Sequence, residues 1–72
     1  MNDAETLAEF ERVLSNALFH VNLNCESSDW DQRWEIEVIP RWADSFTVHG
    51  RTMLDAIRAA LPRMTAFYEA HK

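Results

Sequence analysis

The stretch Arg33–Thr52, RWEIEVIPRWADSFTVHGRT, constrains the fold of this 72-residue chain more than any other. Trp34, Ile36 and Val38 alternate with Glu35 and Glu37; beyond a corner at Pro40–Asp44, Phe46 and Val48 alternate with Ser45, Thr47 and His49. A period of two sends successive side chains to opposite faces, so the stretch predicts a hairpin with one apolar and one polar face. Thr52, with Asp55 three residues later, has the form of a capping box and hands the second of these strands to a helix starting near Met53. Gly50 permits the sharp turn between them.

The same reading extends in both directions. Phe19, Val21, Leu23 and Cys25 alternate with His20, Asn22, Asn24 and Glu26, which predicts a further strand with Cys25 on its inner face. In this acidic neighbourhood Cys25 reads as a small buried hydrophobe and not a nucleophile, because a thiolate needs electropositive support. Glu26–Asp31, ESSDWD, is an open loop, Gln32–Ile39 the central strand and Ser45–His49 the third. Ile39 is out of phase, and beside Trp42 and Trp30 it predicts an apolar patch at one end of the sheet; the alternative is that Trp42 folds back over the core.

Helices flank the strands. Thr6-Leu7-Ala8-Glu9 has the capping-box form, with Asp3 as an alternative start, and Leu7, Phe10, Leu14 and Ala17 recur at steps of three and four. They predict an amphipathic helix from Asp3 to Asn16 or Ala17. Near the other end Leu54, Ile57, Leu61, Met64 and Tyr68 form an apolar seam flanked by Met53, Ala60 and Phe67. Pro62 predicts a kink or a break at Leu61, and the in-phase resumption of the seam favours one bent helix over two. The order is thus α-β-β-β-α. It predicts one small α+β domain over residues 1–72, a two-layer sandwich whose three-stranded antiparallel sheet carries both helices on its apolar face. His20, Asn22, Asn24, Glu35, Glu37, Ser45, Thr47 and His49 would then share the open face.

Composition bounds the function. Apolar residues are 47% of the chain, enough for a packed core, although a chain this short has a thin stability margin and a homodimer is one way to add burial. One cysteine excludes an intrachain disulfide and fits a reducing compartment, so the expected location is the cytoplasm. The acidic N-terminal stretch is unlike a secretory signal, and no apolar run approaches the ~20 residues needed to span a membrane. The net charge of −5 divides unevenly, as −3 over residues 1–25, −4 over residues 26–44 and +2 over residues 45–72. Four scattered bases in the last segment make a poor binder of nucleic acid or anionic membrane, whereas the acidic middle suits an electropositive protein partner. The same charge also keeps a small domain soluble.

No motif points to catalysis. His20, His49 and His71 fall on different elements, and His20 and His49 share the open face with Glu35 or Glu37 only if the strand register allows it. No ligand spacing, glycine-rich phosphate loop or nucleophile turn is present, so the chain reads as a non-enzyme with no cofactor and no metal.

The helix, three strands and helix resemble the double-stranded-RNA-binding domain in topology over nearly the whole chain. That family crosses phosphates with a Lys/Arg cluster at the start of its last helix; here Arg51-Thr52-Met53-Leu54-Asp55 has one base and one acid, so the resemblance implies the fold and not the RNA binding. Phe46–Ala60, a strand led through a turn into a Thr-capped helix, resembles part of the small α+β domain of HicB-type antitoxins, a likeness that covers about half the chain. In size and acidity the chain also resembles phage-encoded anti-CRISPR proteins. The function expected on these grounds is that of an acidic module occupying the basic surface of a partner protein, with Glu35 and Glu37 on the sheet, Asp29, Asp31 and Asp44 in loops, and Trp30 and Trp42 as anchors. The alternatives are a homodimeric structural or regulatory module, and a small-ligand or metal-binding domain built on His20 and His49.

Overall fold

Three strands form the sheet of this computed structural model, which describes residues 1–26 and 32–71: β1 Phe19–Cys25, β2 Trp34–Pro40 and β3 Phe46–Gly50. They run antiparallel in the order β1-β2-β3, the expected meander. The register pairs Val21 with Val38 and Val38 with Phe46, then Leu23 with Ile36 and Ile36 with Val48, so each apolar row continues across the sheet. A slip of one residue would turn every one of these side chains to the other face, which is why the alternation selects this register. Pro40 is accommodated at the end of the central strand for a related reason. Arg41 N–H donates to Leu18 O at 2.9 Å, so the neighbouring Phe19–Pro40 pair is a non-hydrogen-bonded one, and the nitrogen of Pro40 faces the side where β3 has not yet begun.

Helix α2, Met53–His71, crosses the apolar face. The hydroxyl of Thr52 accepts from Asp55 N–H at 3.1 Å, as the capping-box form predicts, while the Asp55 carboxylate faces Arg58 at 3.6 Å. The helix runs unbroken through Pro62, which lies on the exposed side, where water can reach the Arg58 carbonyl left without its usual donor. Ile57, Ala60, Leu61 and Met64 are buried as the seam requires, and Ala56 joins them. Gly50 is needed for a different reason from the expected turn. Its φ is not positive; a Cβ there would lie under 3.0 Å from Ala56 N, Asp55 C and Ala56 Cα, so the absent side chain is what lets β3 meet the first turn of α2.

Helix α1, Asp3–Leu14, begins where the sequence predicts, but it ends earlier and turns a partly different stripe to the core. The cap is Asn2, whose side-chain oxygen accepts from Glu5 N–H at 2.8 Å, so the start near Asp3 holds and Thr6 is no cap. Thr6 is buried inside the helix, its hydroxyl satisfied by donation to Asn2 O at 2.9 Å. The core-facing stripe is Thr6, Phe10, Val13 and Leu14, whereas Leu7 is 43% exposed. The helix stops at Leu14, short of Asn16, and Ala17 reverses the chain in the left-handed region at φ 59°, at a cost of about 1–2 kcal/mol.

Both helices lie on one face. α2 packs on β2 and β3, and α1 packs on α2, reaching the common core through Val13. Polar groups fasten the helices together. Arg12 grips Glu9 through two hydrogen bonds of 2.7 and 2.8 Å and lies 4.6 Å from the centre of the Tyr68 ring; Thr65 donates to Glu9 at 3.2 Å, and Arg58 pairs with Asp3. The Arg12 hydrogen bonds hold the Glu9 carboxyl below the usual glutamate range, against partial burial that works the other way, and its positive charge and the Thr65 hydroxyl add to the effect. No described helix is long and apolar enough to cross a membrane.

Strand β1 is the edge that this helix layer does not reach in full. Phe19 meets Phe67 of α2 at 5.4 Å between ring centres, but Leu23 is 49% exposed and Cys25 is exposed. The expected burial of Cys25 is therefore incorrect. Its side faces inward by alternation, but nothing among the described residues roofs it, and its sulfur accepts a hydrogen bond from Arg33 Nε at 3.3 Å.

Candidate partner-binding surface

The polar positions of the three strands meet on the sheet face opposite the helices. Across this face the register makes rows: His20 beside Ile39, then Asn22, Glu37 and Thr47, then Asn24, Glu35 and His49. Glu37 accepts from Asn22 Nδ2 at 3.1 Å, and Glu35 lies 3.2 Å from His49 Nε2, so both carboxylates are oriented by neighbours while staying partly exposed. Contacts of this kind fix side-chain direction at little cost in stability. The end of the face beside Cys25 is hollowed into a shallow recess of about 170 Å³ lined by Asn24, Glu26, Gln32, Glu35 and His49. Two carboxylates and an imidazole there favour a cationic or donor-rich occupant such as an arginine or lysine head group.

The expected contact residues are distributed over the molecule. Glu35 and Glu37 lie two residues apart on the outward side of the central strand, at its middle. Trp42 follows the opposite end of β2, 67% exposed, and neither roofs the core nor joins the carboxylates. It stacks on His71 at 5.7 Å, His71 stacks on Phe67 at 4.1 Å, and Arg41 lies 5.5 Å from the Trp42 ring centre. Ile39, 36% exposed, occupies the outward face near that end, as its phase predicts. Asp44 is exposed in the β2–β3 corner. Asp29, Trp30 and Asp31 lie outside the described residues.

His20 and His49 are not brought together. Their partners on β2, Ile39 and Glu35, are four residues apart, or about 13 Å at the rise of a strand, and the two histidines occupy opposite edges of the sheet. Among the described residues no group of three or more His, Cys, Asp or Glu is arranged to hold a metal.

On the helix side the cations are engaged one by one: Arg12 with Glu9, Arg58 with Asp3 and Asp55, and Arg63 over the Phe46 ring at 4.0 Å. Between α1 and α2 opens a broad apolar groove of about 600 Å³ over Leu61, Pro62 and Ala66. Sequence periodicity had no means of finding this groove, because it depends on how far apart the two helices stand. No protein-family model matches the chain, and a search of curated proteins and of solved structures finds no similar one.

Proposed function

We propose that the protein acts by occupying the basic surface of a partner protein, one whose Arg and Lys side chains ordinarily hold nucleic acid, as an anti-CRISPR-like inhibitor or an antitoxin does. The observation that carries this reading is the pair Glu35 and Glu37 on the uncovered face of the central strand, each oriented by a polar neighbour, His49 and Asn22 respectively, and neither paired with a Lys or Arg among the described residues. A rigid sheet holds the two carboxylates at the spacing of alternate strand residues, roughly 7 Å, so a partner's basic side chains meet them with little ordering cost. Glu26 extends the acidic surface along one end. Exposed Trp42, stacked on His71, supplies an aromatic anchor at the other end. Steering by a net charge of −5 accelerates encounter with a positive groove.

The test is capture from lysate by the tagged protein at low and high salt, repeated with the double reversal Glu35→Lys, Glu37→Lys. The expected result is a stoichiometric basic partner that is lost at high salt, with retention by the reversed variant weakened by about tenfold or more while its circular dichroism is unchanged. Undiminished capture by the folded variant would remove the sheet face from the mechanism.

A further inference from the structure

We propose that β1 is a two-fold interface through which a second copy of this chain pairs in antiparallel fashion, centred on Asn22, to make a continuous six-stranded sheet. Among the described residues β2 is the only strand partner of β1. The ladder shows which backbone groups remain. Arg41 N–H donates to Leu18 O at 2.9 Å and Glu26 N–H donates to Arg33 O at 2.6 Å, so the even-numbered residues from Leu18 to Glu26 direct their backbone groups toward β2. By alternation Phe19, Val21, Leu23 and Cys25 present theirs at the open edge. A second β1 aligned about Asn22 places Val21 opposite Leu23 and Phe19 opposite Cys25, odd against odd, so every free group of the strand finds a partner. Four such pairs exchange about eight hydrogen bonds.

Side chains and charge agree with that register. On the helix side the pairs are Val21 with Leu23 and Phe19 with Cys25, all apolar, and they cover the half-exposed Leu23 that the helix layer leaves open. On the outward side Asn22 meets Asn22 and His20 meets Asn24. The chain carries a net charge of −5, but FHVNLNC has no Asp, Glu, Lys or Arg, and its one imidazole, His20, faces Asn24 of the other copy, so no two like charges are set directly opposite along the strand. The strand also lacks the usual protections of an open edge, a lysine, a proline or a bulge. The other edge is a poorer candidate, because β3 is only five residues long and its end at Gly50 is pressed against α2.

The occupant is a second copy and not a foreign strand, because the alignment is self-complementary at every position. Pairing would set the two outward faces side by side, with Glu35 and Glu37 of each copy flanking a neutral centre. Salt distinguishes this contact from capture of a basic partner: screening weakens an acid–base interface but relieves the mutual repulsion of two acidic chains, so dimerisation strengthens as salt rises.

The test is register-specific. Residues facing each other in a non-hydrogen-bonded antiparallel pair have Cα atoms about 4.5 Å apart, within disulfide reach. Asn22→Cys in a Cys25→Ser background is expected to form an intermolecular disulfide on mild oxidation at least tenfold faster than Asn24→Cys in the same background. Sedimentation should show the unmodified protein dimerising with concentration, and Leu23→Lys, with unchanged circular dichroism, weakening that association by at least tenfold. A monomer through the highest soluble concentration overturns the proposal, as does equal cross-linking at the two positions or a dimer indifferent to Leu23→Lys.

Discussion

Strands β1 and β2 share one alternation and one register but differ in what lies above them. Ile36 and Val38 on β2 are fully buried beneath α2, while Leu23, directly beside Ile36 and on the same face, is half exposed. The difference teaches that a period of two assigns a side chain to a face and leaves open whether anything covers that face. Coverage is set by where the helices stand: α2 spans β2 and β3, and α1 spends its apolar stripe largely on α2.

Truncation at paired positions should break this comparison most sharply. Ile36→Ala removes a fully buried side chain and is expected to cost about 2–5 kcal/mol, a large share of the roughly 4–11 kcal/mol that a domain of this size has. Leu23→Ala, its neighbour on the same row, should cost under about 1 kcal/mol in dilute solution by urea denaturation. If β1 pairs with a second copy, the Leu23 cost grows with protein concentration and the Ile36 cost does not, because only association is subject to mass action. Equal costs in dilute solution would mean that the two strands are equally covered.

A smaller effect comes from Gly50→Ala. Its Cβ would meet backbone and not the tip of a flexible side chain, so α2 must shift away from β3, at about 1–3 kcal/mol. The loss should appear in hydrogen exchange as faster opening of β3 and the first turn of α2, with the β1 edge unaffected. The smallest effect concerns the clasp within the helix layer. Because the folded protein holds the Glu9 carboxyl below its usual range, Glu9 contributes stability above the unfolded value of about 4.3 and loses it as pH falls through the lower folded value. Glu9→Gln should therefore be less stable than the parent near neutrality and converge with it in acid; a constant gap across pH would show that Glu9 acts by packing alone.

The legible parts of the fold follow from local rules. The β2–β3 hairpin, the Thr52 cap and the buried Ile57, Leu61 and Met64 were each readable because period and capping chemistry act over a few residues. In helix α1 the start at Asp3 and the core positions Phe10 and Leu14 are legible, whereas only its packing on α2 brings Thr6 and Val13 inward and leaves Leu7 outside. Of the candidate contact residues, Glu35 and Glu37 were placed correctly on the open face by alternation. The stacking of Trp42 on His71 was not legible, because it joins residues 29 positions apart through the packing of α2 on the sheet.

What the sequence determined by itself is the element order, the side of the sheet on which each strand residue falls, and the absence of Asp, Glu, Lys and Arg from β1 within an acidic chain. These depend on side-chain periodicity and formal charge, both of which are local. Only the tertiary structure decided which rows the helices cover, that Gly50 serves close approach, that Cys25 and Leu23 remain open and that His20 and His49 stand apart. Those outcomes depend on the distance and angle between elements, which arise from the sum of many small packing contacts across the core.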